Sequence, residues 1–137
     1  MANFIAKTDL YSQILQDELD EITRGDDTLI TAAISAAQSE MRVFLYDSYD
    51  VDYIFARTGS ARHQLLVNLM ADMAIYFIVA RVQAGQDVAD REARYNRAVK
   101  TLKEMRDSDT YSDLPRRTVT VQTHIVSGSN PKRGNYF

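Results

Sequence analysis

The sequence predicts an all-α protein: a small antiparallel bundle of three long helices, with short N-terminal helices before it and an extended, partly β C-terminal arm behind it. Three observations lead there. Only 5 glycines and 2 prolines punctuate 137 residues, which leaves long stretches suited to helices rather than to a turn-rich β fold. Apolar residues recur at three–four spacing up to Arg106. After Leu114-Pro115 the pattern changes to an alternation rich in β-branched residues, Thr118-Val119-Thr120-Val121-Gln122-Thr123-His124-Ile125-Val126. The division is therefore a helical domain over 1–114 and an arm over 115–137.

The elements follow in order. Thr8 caps the first helix and Asp9 suits its positive end. Leu10, Tyr11 and Ile14 share one face with Leu15 and Leu19 alongside. The helix breaks near Asp17, resumes over 19–23, and is stopped by Arg24-Gly25-Asp26-Asp27, where glycine accepts a left-handed helix end. The second helix spans 28–46 with Leu29/Ile30, Ala33/Ile34, Ala37, Met41 and Phe44/Leu45 on its apolar face; small residues in its first half let another backbone approach. Val51, Tyr53 and Phe55 alternate with Asp52 and Ile54, which fits a short strand or an extended connector. Ser60 caps the third helix, 61–84, whose core positions are Leu65/Leu66, Leu69/Met70, Met73, Tyr76/Phe77 and Ala80, and Gly85 ends it. Asp87 caps the fourth, 88–106, with Ala93, Tyr95, Ala98/Val99, Leu102 and Met105 inward. Long helices joined by short connections pack antiparallel.

Composition excludes much chemistry. With no cysteine there is no disulfide framework, zinc ribbon or thiol nucleophile. The two histidines, His63 and His124, belong to no metal-ligand pattern, and no cofactor is expected. The pairs Asp17/Glu18, Asp20/Glu21 and Asp26/Asp27 read as solvated acidic helix ends rather than a divalent-metal or acid–base site. Asp72, inside the most apolar helix, reads as a boundary ion pair with Arg42 or Arg94 rather than a catalytic carboxylate. His63 reads as an exposed residue in the first turn of the third helix. Arg94, Arg97 and Lys100 read as a solvated face of the fourth helix, and the tyrosines as packing at the bundle ends. Nothing here calls for an enzyme.

Charge is unevenly placed. The net charge is -3, yet the 115–137 arm holds Arg116, Arg117, Lys132 and Arg133 and no acid, leaving -7 on 1–114 and -8 on 1–56. Nonspecific duplex binding needs a positive surface, which this body lacks. An acidic body with a basic arm points to an arm that docks on an acidic protein surface, another copy included. The opening residues hold no apolar stretch long enough for a secretory signal. The 16-residue run 65–80, with Asn68 and Asp72 inside it, is short of the roughly 20 residues a bilayer span needs, so it is expected to be the buried central helix of a cytoplasmically made protein with no membrane partner.

The order of features resembles a known family. Phe4-Ile5-Ala6-Lys7-Thr8-Asp9-Leu10 leads to Leu19-x-x-Ile22-Thr23, then Asp26-Asp27 before an alanine-rich helix with Ala36-x-x-x-Glu40. Tyr49-Asp50-Val51 follows, then Asp72-Met73-Ala74-Ile75-Tyr76-Phe77 and Arg94-Tyr95-x-x-Ala98-x-x-x-Leu102. Over residues 3–106 this resembles the Mu-like phage head–tail connector proteins. The resemblance implies a structural virion protein without enzymatic activity. It would form a ring of twelve copies beneath the portal, extend the DNA channel without reading sequence, and receive the next tail or stopper component. It would act at the head–tail interface of the virion after synthesis in the host cytoplasm. The tail beyond the last helix departs from shorter members. There the residues expected to bind a partner are Arg116, Arg117, Val119, Val121, His124, Ile125, Lys132, Arg133, Tyr136 and Phe137, with the strand adding to another subunit or the portal or else pairing with residues 51–55 of its own chain. The alternative function is a cytoplasmic helical regulatory module whose basic tail folds on its target.

Overall fold

A computed structural model of the chain describes residues 3–82, 88–107 and 113–118. A 3-10 turn at Lys7–Ser12 is followed by α1 (Gln16–Thr23), α2 (Asp27–Leu45), α3 (Val51–Phe55), a second 3-10 turn at Gly59–Ala61, α4 (Gln64–Val82) and α5 (Val88–Asp107). Among the described residues there is no β-strand, and an antiparallel bridge joins Tyr49 to Arg116.

α4 organises the rest. It is apolar nearly all round and, by length and composition, is able to cross a membrane. Here ten of its residues, from Leu66 to Val79, are buried. A helix without a polar face must be covered on every side, and α4 is flanked by α2 and α5, with α1 and the Lys7–Ser12 turn packed against it as well. α2 presents Ile30, Ala33, Ile34, Ala37, Met41 and Leu45 to the core; α5 presents Ala98, Leu102 and Met105. Of the core expected from the three–four spacing, Ile34, Met41, Leu66, Leu69, Met73 and Leu102 are buried, and Phe77 and Val99 are half-buried. Tyr95 ties the three long helices together. Its ring stacks on Tyr76 at 4.8 Å and lies 5.6 Å from Phe77, and its hydroxyl donates to Glu40 at 2.6 Å. Burial, then that carboxylate, pushes the Tyr95 hydroxyl up to about 12.

Several expectations are corrected. Residues 51–55 are a short helix, not a strand or connector, because the Asp50 side chain accepts the Tyr53 N–H at 3.2 Å as an N-cap. Burial of Val51, Ile54 and Phe55 then follows helical spacing, with Tyr53 left 50% exposed. The third long helix starts at Gln64 rather than 61, since Ser60 sits in the preceding 3-10 turn. Thr8 is not a cap: the Asp9 carboxylate takes the Ala6 N–H at 2.8 Å. At the end of α1 the left-handed step begins at Arg24 (φ 55°) and continues at Gly25 (φ 75°). Leu15, 74% exposed, and Ala93, also exposed, are outside the core. The positions assigned to Gly85 and Asp87 lie outside the described residues.

Leu69→Ala is expected to destabilise the fold by about 2–5 kcal/mol, the usual cost of truncating a buried leucine. An unchanged melting temperature would place Leu69 outside the core.

Candidate partner-binding surface

The last carbonyls of an α-helix have no partner within it. At the C-terminal end of α5 the segment between α2 and α3 supplies the donors. The Ser48 hydroxyl donates to the Arg106 carbonyl at 2.9 Å, and the Tyr49 hydroxyl donates to the Met105 carbonyl at 2.8 Å. Tyr49 is fully buried in doing so.

The other edge of that segment holds the root of the arm. The Asp50 N–H donates to the Pro115 carbonyl, and the Arg117 N–H to the Ser48 carbonyl, both at 3.1 Å. The Arg116 guanidinium lies 4.6 Å from the Tyr49 ring centroid and that of Arg117 4.4 Å from Tyr46, distances at which a cation is drawn to an aromatic face. Arg117 also donates to the Tyr46 carbonyl at 3.4 Å and approaches Asp47 at 3.9 Å. One residue before the buried Leu114, Asp113 lies 2.8 Å from His63 Nε2, and this contact holds the Asp113 carboxyl below its ordinary range.

The structure therefore brings Arg116 and Arg117 together, on their own chain. The pairing expected with residues 51–55 is corrected: the bridge falls at Tyr49, because 51–55 are helical and offer no extended edge. His63 precedes α4 and is half-buried against Asp113, not an exposed first-turn residue. Val119, Val121, His124, Ile125, Lys132, Arg133, Tyr136 and Phe137 lie outside the described residues, as does the strand expected beyond Thr118. Sequence reasoning missed Tyr46 and Tyr49 as the receptors of the arm's two arginines; their three-residue spacing carries no signal until the bridge fixes the register.

Next to this clasp, the outward face of α2 is apolar. Val43 is 77% and Tyr46 51% exposed, with Ser39, Ala36 and Ala32 exposed in line. A groove of about 500 Å³ runs past Ser39, Arg42, Val43, Tyr46 and Asp47. Farther toward the start of α2, Leu29, Ala32 and Ala36 open onto an apolar pocket of about 250 Å³ that Phe77 and Ile78 close from below.

The remaining candidates are held by the fold. Lys7 bridges Asp20 at 3.5 Å and Asp27 at 3.0 Å, and the Asp26 side chain accepts the Thr28 N–H as the cap of α2. Arg62 grips Asp9 through two hydrogen bonds, at 2.8 and 3.1 Å, holding that carboxyl below its ordinary range. Arg42 pairs with Asp52 at 2.7 Å, so it is not the partner of Asp72; Arg94 pairs with Asp90 at 3.3 Å. Asp72 keeps one buried carboxylate oxygen without a hydrogen bond. Burial raises its carboxyl above 3.8, opposed by the charges of Arg94, Arg91 and Arg97. Arg91, itself buried, donates to the Gln13 carbonyl at 3.0 Å. Among the described residues no three His, Asp or Glu side chains gather as metal ligands would.

Two substitutions test this geometry. Tyr49→Phe leaves the Met105 carbonyl without its donor and is expected to cost about 1–3 kcal/mol, read by denaturant unfolding. For Asp72 the folded state binds the proton more tightly than the unfolded chain, so the group costs stability as pH rises from 3.8 through its raised value and remains unfavourable above it. Asp72→Asn is therefore expected to melt higher than the parent at pH 7, with the difference closing below pH 3.8. An Asn variant that melts lower at neutral pH would mean the arginines, not burial, govern the site.

Comparison with known proteins gives a family match. The family model described as "Bacteriophage Mu, Gp36" matches residues 4–126, which takes in the whole described bundle and the root of the arm. No curated protein and no solved structure matches. The chain belongs to the bacteriophage Mu Gp36 family and is a Mu-like phage protein.

Proposed function

We propose that this chain is a structural virion protein, a head–tail connector that assembles with copies of itself into a ring below the portal and extends the DNA channel. The ring holds twelve copies, carries no reaction, binds no cofactor, and receives a tail or stopper component on its far side. The protein is made in the host cytoplasm and works at the head–tail interface. The observation that carries this reading is the family match across residues 4–126, and the shape of the molecule supports it. Among the described residues the body is helical and is stapled by the Tyr49 and Arg62 contacts, and the root of a basic arm is held against it.

Charge supports the same reading. Asp17, Glu21, Asp26, Asp27, Asp47 and Asp52 are exposed, and acidic residues that line a channel repel the phosphate backbone instead of releasing its counterions. DNA passes such a wall without sticking. The arm, basic and without acids from Pro115 onward, meets the opposite charge on a neighbouring copy or on the portal. Val119, Val121 and Ile125 supply apolar contact there, and Tyr136 and Phe137 anchor the end.

The test is truncation after Thr118, which keeps the clasp. The body is expected to retain its melting temperature while co-purification with the portal and formation of a ring are lost. A truncated chain that still assembles on the portal would remove the arm from the mechanism. A full-length chain that ignores the portal and forms a tight, salt-resistant dimer would favour the regulatory module instead.

A further inference from the structure

Beside the root of the arm, a pocket of about 320 Å³ opens between α3, the start of α4 and Leu114-Pro115. Arg57 and His63 both line it, and each keeps a buried nitrogen, Nε and Nδ1, without a hydrogen bond among the described residues. We propose that this pocket takes the carboxylate of an aspartate or glutamate side chain from a partner protein, with Arg57 and His63 as its receptors.

Arg57 is the first argument. Its guanidinium lies 4.2 Å from the Tyr53 ring centroid, and the residue is half-buried. Its neighbours Arg42 and Arg62 have acids of their own, Asp52 and Asp9. Arg57 makes no ion pair among the described residues, and a partly desolvated cation without an anion is unfavourable. A carboxylate presents two coplanar oxygens that match the guanidinium fork.

His63 is the second. Its Nε2 lies 2.8 Å from Asp113, and that contact holds the Asp113 carboxyl below its ordinary range. An ionised carboxylate only accepts, so Nε2 carries the hydrogen and Nδ1 of the neutral ring is a lone pair; only the imidazolium donates there. An anion arriving at Nδ1 therefore draws a proton onto His63. The charged ring then bridges two carboxylates, the partner's and that of Asp113 at the root of the arm, so that occupancy of the pocket and closure of the clasp reinforce each other.

The surroundings are the third. α4 starts at Gln64, which lines the pocket, and its first turn holds no acidic residue, so the positive end of the helix dipole is left for an incoming anion. Ile54, Leu114 and Pro115 give apolar walls to an aliphatic stem. A phosphate dianion asks for more cation than one free arginine and an imidazole, and Asp113 repels it. Tyr53, Ala61, Gln64 and Pro115 are exposed at the rim, where a side chain of another protein can enter. Pockets for small molecules run from about 300 to 1,000 Å³, and this one, at the small end, suits a single side chain. The inference does not rest on the connector reading.

The test titrates the full chain, isotope-labelled, with a blocked Ala-Glu-Ala peptide at constant ionic strength, following the Arg57 side-chain N–H and the His63 ring by NMR. Blocked Ala-Gln-Ala and inorganic phosphate are the comparison ligands. Saturable shifts of both groups are expected with the glutamate peptide, at an affinity about tenfold above either comparison, the factor that a hydrogen bond to a charged group supplies. Arg57→Gln is expected to abolish them with helical content unchanged. Binding is expected to be several-fold tighter at pH 6 than at pH 8, because the anion favours protonated His63. Of the charges around the ring, the Asp9 and Asp113 carboxyls are held low and stay ionised over that interval, and arginine stays charged throughout. No response in the parent chain, or equal affinity for the glutamine peptide, overturns the proposal. Tighter binding of phosphate overturns it as well, and equal affinity at the two pH values overturns the part given to His63. A chain that binds the glutamate peptide yet never binds a portal overturns the connector reading and leaves this one standing.

Discussion

Everything in this molecule depends on hiding α4. Ten of its nineteen residues are buried, so much of the fold is the set of elements needed to cover them. α2 and α5 take the two long sides, and the N-terminal turn with α1 closes the gap between them. Alanines make the close approach possible. Ala37 in α2, Ala71 and Ala74 in α4 and Ala98 in α5 are all buried, and small side chains at a crossing let ridges settle deep into grooves.

Polar contacts then fix what packing leaves loose. The N-terminal segment carries little regular structure of its own, and it is held by side chains from distant parts of the chain. Arg62 takes the Asp9 carboxylate and the Phe4 carbonyl, Gln38 accepts the Phe4 N–H at 2.8 Å, and Arg91 takes the Gln13 carbonyl. Arginine suits this work because its planar fork satisfies two acceptors at once. At the opposite end Tyr49 plays the matching part: its ring is buried in the core, its hydroxyl caps α5, and its backbone edge receives the arm. One residue thus links the termination of the last helix to the point where the arm leaves.

That link gives the functional reading its mechanical sense. On the connector reading proposed above, the body must not deform and the extension must start in a set direction. The clasp at 113–118 provides the second, through two backbone hydrogen bonds and two arginines laid over tyrosine rings. The exposed apolar line of α2 begins where that direction points.

The sequence by itself determined the helical class, the three long helices to within a few residues, and most of the core, because three–four apolar spacing is a local pattern that burial must obey. It also separated an acidic body from a basic arm, since charge is additive along a chain. It misread residues 51–55, where two-residue alternation of Val51, Tyr53 and Phe55 concealed a capped helical turn, and it placed Ala93 inside and Leu15 alongside the apolar face though both are exposed. Those errors share a cause: over a few residues helix and strand patterns overlap, and the face that is buried depends on what stands opposite. Only the tertiary structure decided that Arg42 serves Asp52 rather than Asp72, that His63 meets Asp113, and that Arg116 and Arg117 rest on Tyr49 and Tyr46. Such pairings join residues from 10 to 71 positions apart. Local propensity carries no information about them; the packing around α4 brings them together.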